Sequence, residues 1–212
     1  MIELDRRTQW IAAALAALAG FVDAVGVLGT GGFFLSFMSG NSTRLGVGLA
    51  EAAPYLLIPL AIIAAFVSGV FLGSLLGRKA GHRRGRLVLL MVGCMLGVAG
   101  AVALAGAPWL GIALAAAAMG AENTAFEADG KVRFGLTYMT GTLVRLGQGA
   151  AAAFAGEDRS GWQPWFRHWV ALMAGAVAGA LLYPLTGLAA LFVAAAFAVA
   201  LSFVITTPAS QG

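Results

Sequence analysis

Six runs of apolar sequence, each near or above the length that crosses a bilayer as a helix, leave this chain few folds. They cover Trp10 to Leu28, Pro54 to Gly77, Leu87 to Ala107, Trp109 to Ala125, Trp165 to Leu185 and Leu188 to Ile205. About 20 helical residues cross the roughly 30 Å of hydrocarbon. A β-barrel fits poorly, because Ala and Leu dominate the runs, the runs are too long for strands, and period-2 alternation is absent. Charged residues make up 10% of the 212 residues, whereas a soluble domain carries about 25%. The expectation is an all-α integral membrane protein with about six transmembrane helices, folded as a single membrane domain over residues 1–212. The fourth run is the weakest, since Glu122 and Asn123 interrupt it.

The formal charge of +4 does not point to nucleic acid, because the cations sit in short juxtamembrane clusters and form no basic face or aromatic-basic platform. Those clusters set an orientation. With the N-terminus in the cytoplasm, Arg6, Arg7, the group Arg78, Lys79, Arg83, Arg84 and Arg86, and then Lys131, Arg133, Arg145, Arg159 and Arg167 all fall inside, leaving Arg44 outside. Both termini are then cytoplasmic, and the compartment is a bacterial inner membrane. Trp10, Trp109, Trp162, Trp165 and Trp169 lie near the ends of runs, as interfacial aromatics do. The run from Trp10 continues past the length of a signal core without a cleavage site, so the N-terminus reads as a span. Cys94, the single cysteine, has no disulfide or metal companion and is expected to serve packing.

Two polar motifs stand out against this background. MSGNSTRLG, Met38 to Gly46, overlays MTGTLVRLG, Met139 to Gly147, with five of nine positions identical. Gly20 to Asp23 (GFVD) corresponds to Gly120 to Asn123 (GAEN), and Gly69 and Gly73 correspond to Gly175 and Gly179. Each half then reads as span, polar turn, motif helix, GxxxG span and closing span, over residues 8–107 and 108–207. Three spans per unit send the second copy through the membrane in the opposite sense, which gives two inverted-topology repeats of the kind many transporters use. The motif segments themselves are expected to be short or re-entrant helices, because a full span at Met38 to Ala50 would place the Arg78 to Arg86 cluster outside. Their polar turns should then approach one another near mid-membrane, where irregular backbone must be buried in protein or line a cavity.

GFVDAVGVL, FMSGNSTRLG, AMGAEN and YMTGTLVRLG together resemble the YoaK-like family of bacterial membrane proteins, over essentially the whole chain. The SGN and TGT motifs are the specific part. The resemblance implies a multi-spanning inner-membrane protein; the family is a domain of unknown function and brings no biochemical role with it. The chain departs from the pattern at Glu122, where a neutral residue such as Gln is expected before Asn.

The candidate substrate-binding residues are Asp23, Gly40, Asn41, Arg44, Glu122, Asn123, Thr140 and Arg145. A carboxylate near the bilayer centre costs roughly 2.5–3.5 kcal/mol on insertion scales, so Asp23 should face protein or water. It either couples protons or contacts substrate, or else it caps the motif helix or pairs with Arg44 or Arg145. The two arginines each follow the motif glycine by four residues and would suit a carboxylate, phosphate or sulfonate; the alternatives are snorkelling or an ion pair with Asp23 or Glu122. Ser39 and Thr140 stand where helix N-caps are expected, and an N-terminus there would favour an anion. Glu127 and Asp129 are expected in a solvated loop with Lys131 and Arg133. The GxxxG faces, Gly69, Gly73 and Gly77 with Gly175 and Gly179, allow close backbone contact within the bundle or in a homodimer. His82 sits in the basic loop and His168 at an interface, neither with the companions of a metal site or a catalytic triad.

Taken together, these features predict a small secondary transporter or facilitator for a small anionic or polar solute, with its site between the two motif turns. The rivals are an ion channel and a non-transporting scaffold or lipid-binding protein. No nucleophile with its base, Walker loop, HExxH or CxxC is present, so the chain is not expected to be an enzyme or to hold a cofactor or metal. Its partners are the lipid bilayer and a small solute, with no nucleic acid.

Overall fold

The computed structural model describes residues 6–125, 127–128, 131–132, 139–157 and 160–205. Asp129, Arg133, Tyr138 and Arg159 lie outside the described residues. Each of the six apolar runs is helical: α1 (Arg6–Thr30), α3 (Leu57–Ala80), α4 (Arg84–Leu104), α5 (Pro108–Glu122), α7 (Gln163–Thr186) and α8 (Leu191–Val204). The two motifs form shorter helices, α2 (Met38–Ala50) and α6 (Met139–Phe154). A two-residue antiparallel ladder, β1 (Glu127–Ala128) with β2 (Lys131–Val132), follows α5, where the sequence reads as plain loop. The protein is therefore all-α in its membrane body, with one minimal hairpin.

Among the described residues, three continuous stretches are long and apolar enough to cross a membrane: Arg6–Thr30, Leu57–Leu104 and Gln163–Val204. The second and third each fold back on a 3-10 turn, at Gly81–Arg83 and at Gly187–Ala190. Gly81 (φ +51°) and Gly187 (φ +57°) open those turns in a backbone region that side chains rarely enter. Both reversals thus rest on a glycine, and the two glycines are 106 positions apart.

Packing follows two seams. α1 lies along α7, and α3 lies along α5, while α4 fills the space between α5 and α8. Close approach in each seam depends on glycine. Gly20 rests on the backbone of Leu172 and Ala176 in α7, and Gly120 on that of Phe66 and Val70 in α3. In return Gly175 and Gly179 meet the backbone of Ala17 and Phe21, and Gly69 and Gly73 meet that of Ala117 and Ala121. None of these positions has room for a methyl group. Of the two uses open to the GxxxG faces, Gly69, Gly73, Gly175 and Gly179 show the one within the bundle.

Leu15, Leu18, Val22, Leu89, Leu96, Met119 and Leu191 are buried at the centre. Outward faces remain apolar: Leu57, Val67, Phe71, Leu181, Leu185 and Phe203 are exposed. Apolar surface on this scale matches a lipid environment rather than water. Cys94 also faces outward rather than serving the core. One end of the bundle collects cations. Arg7 donates to the Val204 carbonyl (2.8 Å), Arg167 donates to Gln9 (2.6 Å) and lies over Trp10, Arg86 lies over Phe203, and Arg84 donates to the Thr124 carbonyl (3.0 Å).

Candidate functional site

The polar chemistry of α1 and α2 converges on Asp23. After α1 ends at Thr30, the chain turns through Gly31 (φ +72°) and Gly32 (φ +126°) and returns along α1 before entering α2. This brings the residues ahead of α2 back to the level of Asp23. Its carboxylate accepts from the Leu35 N–H (2.7 Å), the Ser36 N–H (2.6 Å) and the Ser36 hydroxyl (2.7 Å). The Phe37 N–H, at the entrance to α2, points to it as well. The Asp23 carboxyl group thus ties α1 to the turn that leads into α2. Its donors belong to the segment ahead of α2 rather than to the first turn of that helix, and no arginine is among them.

Ser39 is not the cap. α2 begins at Met38 with Phe37 in the capping position, and no side chain caps it there. Ser39 sits one residue inside the first turn, and its carbonyl accepts from Thr43 (3.1 Å). Asn41 is fully buried and closes a local ring: its Nδ2 donates to the Phe34 carbonyl (2.7 Å) and its Oδ1 accepts from the Phe34 N–H (3.0 Å). Gly40 leaves space for the Phe37 and Phe34 rings, which meet edge to face. Asn41 and Gly40 therefore shape the turn that presents Ser36 and the backbone donors to Asp23.

The arginines behave differently from the spacing argument. Arg44 is exposed, with its guanidinium 5.2 Å from the centre of the Phe33 ring and against Gly32. Arg145 is likewise exposed and lies 5.0 Å from the centre of the Trp165 ring. Each stacks on an aromatic face of its own half, an arrangement worth about 0.5–1 kcal/mol at exposed sites. The two guanidinium groups are not brought together, and the partners of Asp23 are backbone and serine. Thr140 is exposed on the first turn of α6.

A cavity of about 280 Å³ opens beside Asp23. Its described walls include Asp23, Ser36, Phe34 and Phe37 from the first half and Met139 and Leu172 from the second. The start of α6 therefore does meet the start of α2 across one space. Asp23 and Ser36 are the polar side chains among those walls, and the remainder is apolar.

Glu122 and Asn123 end α5. Asn123 donates from Nδ2 to the Met119 carbonyl (3.0 Å). Glu122 is fully buried, and neither carboxyl oxygen has a hydrogen-bond partner among the described residues. Asp23 is its charged neighbour. His168 is buried.

Ser36 was not among the candidate residues, although a sequence signal for it exists. The motif repeat extends upstream, with Phe33, Leu35, Ser36, Phe37 and Met38 aligning with Phe134, Leu136, Thr137, Tyr138 and Met139. A hydroxyl recurs at the Ser36 position in the second copy.

A family model described as a protein of unknown function, DUF1275, matches residues 11–204. A UPF0700 transmembrane protein from Rhizobium meliloti (strain 1021) is 36% identical over 188 residues, which is 86% of this chain and 79% of the relative. No solved structure matches.

Proposed function

The chain belongs to the DUF1275 family of membrane proteins of unknown function, and from that premise we propose that it is a non-enzymatic secondary transporter or facilitator for a small polar solute. Its site is the cavity beside Asp23, which is the observation that carries the proposal: the entrances of two short helices and the middles of α1 and α7 share one space of about 280 Å³. Discontinuous helices that start at a mid-membrane site are a recurring transporter device.

Support for two inverted repeats, residues 8–107 and 108–207, comes from the seams. Leu172 and Phe66, Ala176 and Val70, and Gly175 and Gly69 are each 106 positions apart, and each pair plays the same part in its seam. In this arrangement α1 and α5 are equivalent, and each packs on the GxxxG helix of the other half. α2 leads to the start of α3, at the end away from the basic cluster; α6 leads to the start of α7, within that cluster. Six spans with cytoplasmic termini in the inner membrane follow once the basic end is assigned to the cytoplasm.

The lining narrows the solute. An anion would meet the Asp23 carboxylate and no arginine, so a neutral polar or cationic solute fits the described walls better than the anionic one expected from Arg44 and Arg145. Proteoliposomes offered glycerol, neutral amino acids, methylamine, lactate and inorganic phosphate test this. Saturable uptake of a neutral or cationic probe is expected, with loss when Ala24, on the cavity wall, is replaced by Trp. Uptake confined to lactate or phosphate would overturn the solute class, and no uptake of any probe would overturn the transport reading.

One observation favours a second reading. Asp23 and Asn41 are held by local donors and acceptors, which a purely structural polar turn in a scaffold or lipid-binding protein would also need. Lipid retained through purification, with no probe uptake, is the result expected of that alternative.

A further inference from the structure

The transport reading leaves one group unused, and it is the least comfortable one in the protein. Glu122 is fully buried at the end of α5 with both carboxyl oxygens unpartnered among the described residues. An isolated ionised carboxylate in an apolar interior is far more costly than a neutral acid, and such a group sheds its charge instead. Among the described residues the charged group that acts on Glu122 is an acid, not a cation. α3 carries no charged residue from Leu57 to Leu76, and Arg78 and Lys79, beyond Gly73 where α3 packs on Ala121, are exposed. On α4, the Nε of Arg84 is committed to the Thr124 carbonyl (3.0 Å). On α1 the group facing Glu122 is Asp23, a like charge. α5 itself has no other titratable residue.

Asp23 and Glu122 therefore form a pair of acids, one from each half, in opposite circumstances. Asp23 is surrounded by donors suited to a carboxylate, whereas Glu122 has none. Two neighbouring carboxyls in a membrane interior hold one negative charge more readily than two.

We propose that Glu122 is a proton-binding site, and that it couples solute movement through the Asp23 cavity to proton movement across the membrane. In the state described, a proton is bonded to one carboxyl oxygen of Glu122. It leaves to a water molecule when the two halves rearrange and admit water from the cavity, and an equivalent proton returns to the same oxygen from the other side. No other bond changes. This inference rests on the transport reading for its coupling role, while the proton site itself stands on the burial of Glu122.

Infrared difference spectroscopy of the purified protein in lipid, comparing neutral with alkaline pH, tests the site without a substrate. A protonated-carboxyl stretch is expected at neutral pH in the native protein, absent in Glu122→Gln and retained in Asp23→Asn. Glu122→Met, apolar and of similar size, should show the same loss if the amide is not tolerated. A native protein without that band, or a band that survives both Glu122 substitutions, overturns the proton site and leaves the transport reading standing. The coupling role is read in proteoliposomes carrying an internal pH dye and offered the probes named above. Solute-driven pH change is expected in the native protein and should be abolished in Glu122→Gln. An unchanged pH response in Glu122→Gln overturns coupling at this residue. A Glu122 band with no flux of any probe overturns the transport reading and the coupling with it.

Discussion

Asp23 and Glu122 are the two acids carried by the helix that opens each half, and the protein treats them in opposite ways. Asp23 sits beside a turn that supplies backbone and hydroxyl donors, so its charge is balanced locally and binds α1 to the start of α2. Glu122 sits buried at the end of α5 without a donor among the described residues. A buried acid is therefore not informative by its presence alone. One whose lone pairs are filled by its own fold has a structural role, and one left unfilled is available for a proton.

The strongest way to break this comparison is to remove the glycines that hold both acids in place. Gly20→Val and Gly120→Val each force a branched side chain into neighbouring backbone and should cost about 3 kcal/mol or more. Both are expected to abolish a monodisperse peak in size-exclusion chromatography, and to equal extents if the seams are alike. Next is Asp23→Ala, which strands the donors of Leu35 and Ser36; a loss of about 2–3 kcal/mol in reversible unfolding is expected. Asn41→Ala removes the ring that shapes the same turn and should cost about 1–2 kcal/mol. Arg44→Ala and Arg145→Ala, read in the same unfolding experiment, should each cost no more than about 1 kcal/mol, since each loses an exposed stacking contact. The smallest effect is expected at the other acid. Glu122→Met removes no hydrogen bond and should leave stability within about 1 kcal/mol of the native protein or raise it. A large loss there would erase the distinction between the two acids.

The helices were legible in the sequence because long apolar runs admit little else, and the motif helices because Met38 and Met139 open matching patterns. The seams were legible only as glycine spacing. Nothing in Gly69-x-x-x-Gly73 says whether its partner is a second copy or, as it proves, α5 of the same chain. Asp23 stands out in the sequence as a lone acid in an apolar run, yet its partners include backbone groups 12 and 13 residues onward, which no side-chain motif announces. The partners of the arginines were not legible, because helical spacing fixes the side of the helix they leave from and is silent on the aromatic they reach. Phe33 precedes Arg44 in the chain and Trp165 follows Arg145, so the two stacks share no sequence pattern. Glu122 was marked as an interruption of the fourth run, but its isolation is a property of α1, α3 and α4 around it.

The central claim is that the space beside Asp23 is a solute site shared by the two halves rather than a sealed void. Cysteine accessibility tests it most directly. In a Cys94→Ser background, Val27→Cys on α1 and Leu172→Cys on α7, both on the cavity wall, are treated in vesicles of defined orientation with a small polar thiol reagent that does not cross lipid. Both positions are expected to react, reagent from either side to reach them, and the transported probe to slow the reaction. Failure of both to react from either side, while the exposed Arg44→Cys on the same protein labels readily, would contradict the claim.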